Sequence, residues 1–249
     1  MKRLFVCMLV SMFAFAVLAT GWGGELIDKG SLMGAGAMMM ESPYKGVDDD
    51  VYPVPVLIFE SRQFFVDKTV MGYYFNDKSN PVRWAVIGSL RLQGYEADDS
   101  SDLTGMQDRD RAFDGGLRIS WKNEIIDMIL EGVTDVSGTH EGQELRVTIE
   151  KELFDGFLTP KAGIKWQSDD LVDYYYGVKS NEVRAGRVAY VADDDLEYMV
   201  GVTIGVPLGE KWAAFGDIQC SFLGDEGKDS PIIGKDTLMR YVAGAVYRF

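Results

Sequence analysis

Thr237-Leu238-Met239-Arg240-Tyr241-Val242-Ala243-Gly244-Ala245-Val246-Tyr247-Arg248-Phe249 closes the chain. Every second residue from Met239 onward (Met239, Tyr241, Ala243, Ala245, Tyr247, Phe249) is apolar, and arginines stand between them at 240 and 248. A period of two gives a strand with one greasy face. A terminal strand ending on an aromatic is how an outer-membrane β-barrel finishes, so Tyr247 and Phe249 read as a C-terminal signal for barrel assembly. The opposite end agrees. Lys2-Arg3 precedes sixteen uncharged residues, Leu4 to Ala19, and then Thr20-Gly21-Trp22-Gly23-Gly24, the order of a secretory signal peptide. That run is shorter than the roughly 20 residues a helix needs to cross a bilayer. Residues 1–19 are therefore expected to be cleaved near Ala19, leaving 20–249 as a single barrel domain.

Period two recurs upstream. Trp84, Val86, Gly88, Leu90 and Leu92 share a parity opposite Arg83, Ser89, Arg91 and Gln93; Leu117, Ile119 and Trp121 oppose Arg118, Ser120 and Lys122. The split returns at Ile126–Leu130 against Asp127 and Glu131, at Leu145–Ile149 against Arg146 and Glu150, at Ala162–Trp166 against Lys161 and Lys165, and at Tyr198–Ile204 against Glu197 and Thr203. A soluble sandwich alternates too. Two features favour lipid outside: charges of both signs share the polar face at mid-strand, where a lumen pairs them, and Trp84, Trp121, Trp166 and Trp212 fall near segment ends, as interfacial girdles require.

Turn lengths orient the barrel, since short turns face the periplasm and long loops face outward. Walking back from the C-terminus gives up-strands near 31–41, 82–95, 125–135, 157–167 and 211–223, and down-strands near 52–76, 112–122, 143–153, 196–206 and 237–249. The expectation is an all-β, transmembrane, antiparallel up-and-down barrel of 10 strands. Twelve is the alternative, because 52–76 is long for one crossing and 168–195 has room for a hairpin. A barrel this narrow is largely filled by inward side chains such as Arg83, Arg91, Arg118, Lys122, Asp127, Glu131, Arg146 and Glu150, which argues against a wide pore.

The formal charge of −14 becomes −14 − 2 = −16 once Lys2 and Arg3 leave, and the acids cluster at Asp48–Asp50, Asp98-Asp99, Asp193–Asp195 and Asp225-Glu226. No basic patch exists for phosphates, which excludes nucleic acid as a partner. The expected surroundings are outer-membrane lipid and lipopolysaccharide. The mature chain keeps one cysteine, Cys220, so no internal disulfide forms; it shares a face with Ile218 and Phe222 and reads as lipid-facing. The only histidine, His140, lies in a short loop with Ser137 and Glu141, a poor scaffold for a triad, and it reads as ordinary surface. One histidine and one cysteine leave no transition-metal cluster. Catalytic, cofactor and metal sites are all expected to be absent.

Particular words in the sequence then matter. Ser42-Pro43-Tyr44-Lys45-Gly46-Val47-Asp48, Tyr52-Pro53-Val54-Pro55, Phe64-Phe65-Val66, Gly105-Met106-Gln107-Asp108-Arg109, Phe113-Asp114-Gly115-Gly116, Tyr175-Tyr176-Gly177-Val178, Asp229-Ser230-Pro231-Ile232 and the Tyr-Arg-Phe end, taken in order, resemble the MipA/OmpV family. The resemblance implies a Gram-negative outer-membrane protein without enzymatic activity. One branch of that family is named for interaction with the murein hydrolase MltA, and is described as a scaffold joining this lytic transglycosylase to a bifunctional penicillin-binding synthase. The other looks like surface proteins linked to adhesion, osmotic response and small-solute passage. Scaffolding is the leading expectation, with a narrow solute channel or adhesin behind it and a His140 hydrolase last. Within those words Tyr44, Asp108, Arg109 and Asp229 are the residues expected to order long loops or to meet a partner, through charge-assisted bonds where they are ionised.

Overall fold

The computed structural model describes residues 31–249, so the predicted signal peptide lies outside the described residues. Twelve antiparallel strands close into a barrel: β1 Leu32–Met40, β2 Asp50–Glu60, β3 Phe64–Asp67, β4 Val70–Tyr74, β5 Val82–Arg91, β6 Ala112–Lys122, β7 Asp127–Asp135, β8 Gln143–Glu150, β9 Leu158–Gln167, β10 Asp195–Pro207, β11 Trp212–Phe222 and β12 Thr237–Arg248. Each strand pairs with its neighbours in sequence, and β12 returns to β1 with Arg248 opposite Leu32 and Arg240 opposite Met40.

Ten strands was therefore the wrong count. The stretch 52–76, read as one crossing, holds most of β2 and all of β3 and β4. Two reversals hide inside it without glycine or proline to mark them. At the first, the Ser61 N–H donates to the Phe64 carbonyl at 2.8 Å and the Ser61 hydroxyl accepts the Phe64 N–H at 2.9 Å. At the second, Lys68 takes a left-handed φ of 57°, which costs a non-glycine residue strain that sequence patterning does not reveal. The other suspect, 168–195, carries no membrane strand. It folds as helix α1, Asp169–Tyr176, a 3-10 turn at Ser180–Glu182, and short bridges pairing Val178 with Tyr190 and Arg184 with Arg187. A second short helix, α2, spans Asp225–Asp229.

Alternation sorts the wall as expected. Trp84, Leu117, Leu145, Tyr198, Val200, Ile218 and Tyr241 are exposed on the outside, an apolar band suited to lipid. Inward neighbours Arg83, Arg118, Ser120 and Glu131 are buried. Cys220 shares the outer parity with Ile218 and Phe222 and is half-buried. Tyr247 faces outward too, and its ring packs edge-on against Trp212 at 5.3 Å and Phe249 at 5.3 Å, fastening the last strand to β11 at the short-turn end.

Candidate functional site

The family-specific words converge in space although they are scattered along the chain. Loops 41–49, 92–111, 168–194 and 223–236 meet over the outer mouth and bury one cluster of side chains, including Tyr44, Tyr95, Leu103, Met106, Leu171, Tyr175, Tyr176, Val178 and Ile232. This cap is the principal apolar core of the molecule. Helix α1 explains its centre. Ser168 precedes Asp169 and Asp170, which favour the positive end of the helix dipole, and Leu171, Val172, Tyr175 and Tyr176 fall on one buried face. That four-residue spacing was a helix signal in the sequence, and the strand reading overlooked it.

Of the four residues singled out, Tyr44, Asp108 and Arg109 have contacts within the cap loops. Tyr44 is buried, its ring edge-on to Tyr95 at 4.5 Å and tilted against Tyr176 at 6.4 Å. Arg109 is buried as well. Its guanidinium donates to Glu182 (Nη2–Oε2 3.2 Å), to the Tyr174 carbonyl (2.5 Å) and to the Gln107 carbonyl (2.9 Å). The Asp108 carboxylate accepts the Ala97 N–H at 2.8 Å and so pins the near side of its own loop. Asp229 ends α2 in an exposed position; the adjacent Ser230 does the fastening, its hydroxyl donating to the Tyr176 carbonyl at 2.6 Å.

Glu182, Arg184 and Arg187 had no signal in the sequence. The Glu182 carboxylate is wholly enclosed and accepts the N–H groups of Gln107 and Lys179, both at 2.8 Å, besides Arg109. Burial alone raises its pKa, but those backbone donors and Arg109 outweigh burial and hold it below the usual carboxylate range. Arg187 reaches the carbonyls of Asp102 (2.8 Å) and Thr104 (3.1 Å), and Arg184 those of Ser101 (3.0 Å) and Asp102 (2.8 Å). Two guanidinium forks thus clamp one loop to another. Burial also pushes the Tyr95 hydroxyl up to about 12, which keeps it neutral inside the cap.

Beneath the cap an ion network crosses the lumen. His140 Nε2 meets Asp114 Oδ1 at 3.0 Å; Asp114 Oδ2 accepts Arg91 at 2.7 Å; Arg91 also donates to Glu144 at 3.0 Å. Arg146 joins Glu144 to Glu131, and Glu131 accepts Arg118 at 2.6 Å. Further round, Asp217 binds Lys161 and Arg240, and Lys165 meets Glu197 at 2.7 Å. The luminal pairing expected from inward charges of both signs is present.

His140 is not surface. It is buried at 4% exposure, with its ring 5.9 Å from that of Tyr175. Its Nδ1 accepts the Gly142 N–H at 3.1 Å, so in the neutral ring Nε2 carries the proton and donates to Asp114. Ser137 instead bonds Asp135 at 2.6 Å and Thr139 at 2.9 Å, so its hydroxyl is directed to those two groups rather than to the imidazole. Asp114, Asp135 and His140 bring donor atoms within 4.8 Å of one another, as a metal would need. Their lone pairs are already committed. Asp135 accepts the N–H groups of Ser137 (2.7 Å), Thr139 (2.5 Å), His140 (2.7 Å) and Glu141 (3.0 Å), so the trio orders the 136–142 loop and fits no ion without breaking it.

Comparison with known proteins agrees with this architecture. The family model described as MltA-interacting protein MipA matches residues 33–249. The chain is 26% identical to the putative outer membrane protein YiaT of Escherichia coli K12, over 97% of this chain and 98% of that protein. It is also 26% identical to the MltA-interacting protein of the same organism, over 96% and 99%, and 29% identical to outer membrane protein OmpV of Vibrio cholerae, over 77% and 75%. The closed barrel and these relatives together place the protein in the outer membrane. Matched across nearly all its described length, the chain belongs to the MipA family.

Proposed function

We propose that this barrel is a non-catalytic scaffold for murein-remodelling enzymes, holding a lytic transglycosylase, and through it a penicillin-binding synthase, at the inner face of the outer membrane. The observation that carries the reading is end-to-end likeness to a relative named for interaction with MltA. The short-turn end adds a surface suited to it. Four turn residues there are strongly exposed and apolar: Ile125 (83%), Phe154 (76%), Phe75 (62%) and Leu208 (57%).

The β8–β9 turn is the most unusual of these. Phe154 and Asp155 take left-handed φ values of 55° and 56°, a strained conformation for residues with a Cβ, and Gly156 follows at 83°, where glycine meets no such penalty. Strain of this kind, about 1–3 kcal/mol per residue, is kept where it serves a contact. Lys151 ties the turn to the Glu124 carbonyl of the β6–β7 turn, and Asn123 orders that turn by accepting the Ile125 and Ile126 N–H groups at 2.7 and 2.9 Å. Ile125 and Phe154 thus sit on a braced two-turn platform, an exposed apolar surface at the short-turn end. The outward apolar band would meet lipid and lipopolysaccharide.

Co-purification of the detergent-solubilised protein with a lytic transglycosylase tests the reading, alongside an Ile125→Ser/Phe154→Ser variant that keeps the barrel. Capture by the parent chain and loss in the variant are expected. Failure of the folded parent to retain the enzyme in repeated trials removes the proposal.

A further inference from the structure

Two neighbouring turns at the short-turn end, 61–63 between β2 and β3 and 75–81 between β4 and β5, leave an open cleft of about 430 Å³ lined by Arg62, Asp77, Lys78 and Ser79. That volume falls within the roughly 300–1,000 Å³ of small-molecule sites. The backbone around it is fixed. The Tyr74 N–H donates to the Gln63 carbonyl at 2.7 Å and ties one turn to the other. Arg83 is buried, stacked on the Tyr74 ring 3.3 Å from its centre and paired with Glu60, and it donates to the Arg62 carbonyl at 3.4 Å. In the second turn the Asn76 amide donates to the Val82 carbonyl at 2.7 Å and accepts the Trp84 N–H at 3.1 Å. The Asn80 N–H and side-chain amide both donate to the Asp77 carbonyl, at 3.1 and 3.3 Å.

The polar heads, by contrast, are not engaged. Arg62 and Asp77 are exposed and line one cleft, yet neither side chain has an ion-pair or hydrogen-bond partner among the described residues. A guanidinium and a carboxylate that could neutralise each other stand apart on two braced turns. Such a pair suits a small ligand that carries both signs, its anion on the Arg62 fork and its cation on Asp77.

The same strands carry aromatic rings two residues away from both heads. Phe64, Tyr73 and Phe75 form a chain of edge-on rings with centroids 4.9 and 5.9 Å apart, and Trp84 follows on β5, its carbonyl accepting the Phe75 N–H at 2.8 Å. Phe64, Phe75 and Trp84 are exposed at 56%, 62% and 51%. Aromatic rings at the end of a lipid-facing band mark the depth at which headgroups begin. The cleft therefore stands at headgroup depth, on the side of the barrel that faces the periplasm.

We infer that this cleft binds the headgroup of phosphatidylethanolamine from the periplasmic leaflet, with its phosphate on Arg62 beside Lys78 and its ammonium on Asp77. The Phe64, Tyr73, Phe75 and Trp84 rings then pack against the upper part of its acyl chains. A headgroup without a cation leaves the Asp77 carboxylate facing an anion, so the cleft discriminates against phosphatidylglycerol.

The test extracts the purified protein from bilayers holding equal amounts of phosphatidylethanolamine and phosphatidylglycerol with matched chains, and counts retained lipids by native mass spectrometry. The parent should retain phosphatidylethanolamine over phosphatidylglycerol by about tenfold, the scale of one charge-assisted contact. Asp77→Asn keeps the anion contact and should abolish the preference, whereas Arg62→Ala should lower retention of both lipids. Lys211→Ala, in the β10–β11 turn of the same rim, should change neither. Equal retention by the parent overturns the proposal, and this arm needs no variant. A preference that survives in Asp77→Asn, or that Lys211→Ala removes, overturns it too. Displacement of the bound lipid by an equal concentration of soluble phosphoethanolamine, or of a murein stem peptide, assigns the cleft to a free zwitterion and likewise overturns it.

Discussion

Glu182→Ala tests the idea that the cap is held by its buried polar pairs as much as by its apolar cluster. The carboxylate accepts from Arg109, Gln107 N–H and Lys179 N–H in a site closed to water. Truncation strands a buried guanidinium, which keeps only the Tyr174 and Gln107 carbonyls, at a cost of about 3–5 kcal/mol. The two orphaned N–H groups add about 1–3 kcal/mol each if they remain dry. These contributions are not additive, because the loop opens and lets water in before the full penalty is reached. The expected loss in local stability is therefore about 3–5 kcal/mol, a fall in amide protection of about one hundred- to several thousand-fold. Hydrogen exchange of the refolded barrel reads it directly: amides in 95–110 and 176–192 should lose protection while those of β10 and β11 do not. A fall of less than about tenfold, or an equal fall in the strands, would refute the reasoning. Acid should mimic the change. The folded-state pKa of Glu182 lies below its unfolded value, so its contribution is complete above the usual carboxylate range and is lost as pH falls through the depressed value. Cap protection should drop in that acidic window, and Glu182→Ala should be insensitive to it.

Glu131→Ala should destabilise the barrel itself by about 3–5 kcal/mol in urea unfolding, because Arg118 loses its buried partner; Arg146 is more exposed and adds less. His140→Ala leaves the Gly142 N–H and Asp114 short of a partner, and exchange in the 136–142 loop should report a loss of about 1–3 kcal/mol, with lipid and ester hydrolysis unchanged from the parent. Lys235→Ala removes rim contacts to Asp49 (3.0 Å) and Glu41 (3.4 Å) but should cost less than about 1 kcal/mol, since water screens the pair. In planar bilayers the intact protein should give no discrete conductance steps, and excising 169–194 should produce them, because α1 and its neighbours fill the mouth.

Fold class was legible because each membrane strand must repeat one elementary choice, greasy outward and polar inward, at every second residue. Met239 to Phe249 shows that choice plainly, and so does Trp84 to Leu92. The luminal salt bridges followed from the same parity, since charges turned inward have only one another to meet. Strand number was not legible: the reversals at Ser61–Gln63 and Lys68-Thr69 use ordinary polar residues inside an apolar run, and only ladder pairing shows where the chain turns back.

The loops show the divide most sharply. Tyr44, Asp108 and Arg109 stood out as words, but their partners lie far along the chain, at Tyr95, Ala97, Tyr174 and Glu182. A lone glutamate among polar residues carries no local mark of burial. His140 looked like surface for the same reason, and is buried once Tyr174 and Tyr175 of the 168–194 loop pack beside it. Alternation is a property of neighbours in sequence, so the residues alone determined a lipid-facing barrel with a polar lumen. Closure of the cap depends on which distant segments meet, and that was decided only when the cylinder closed.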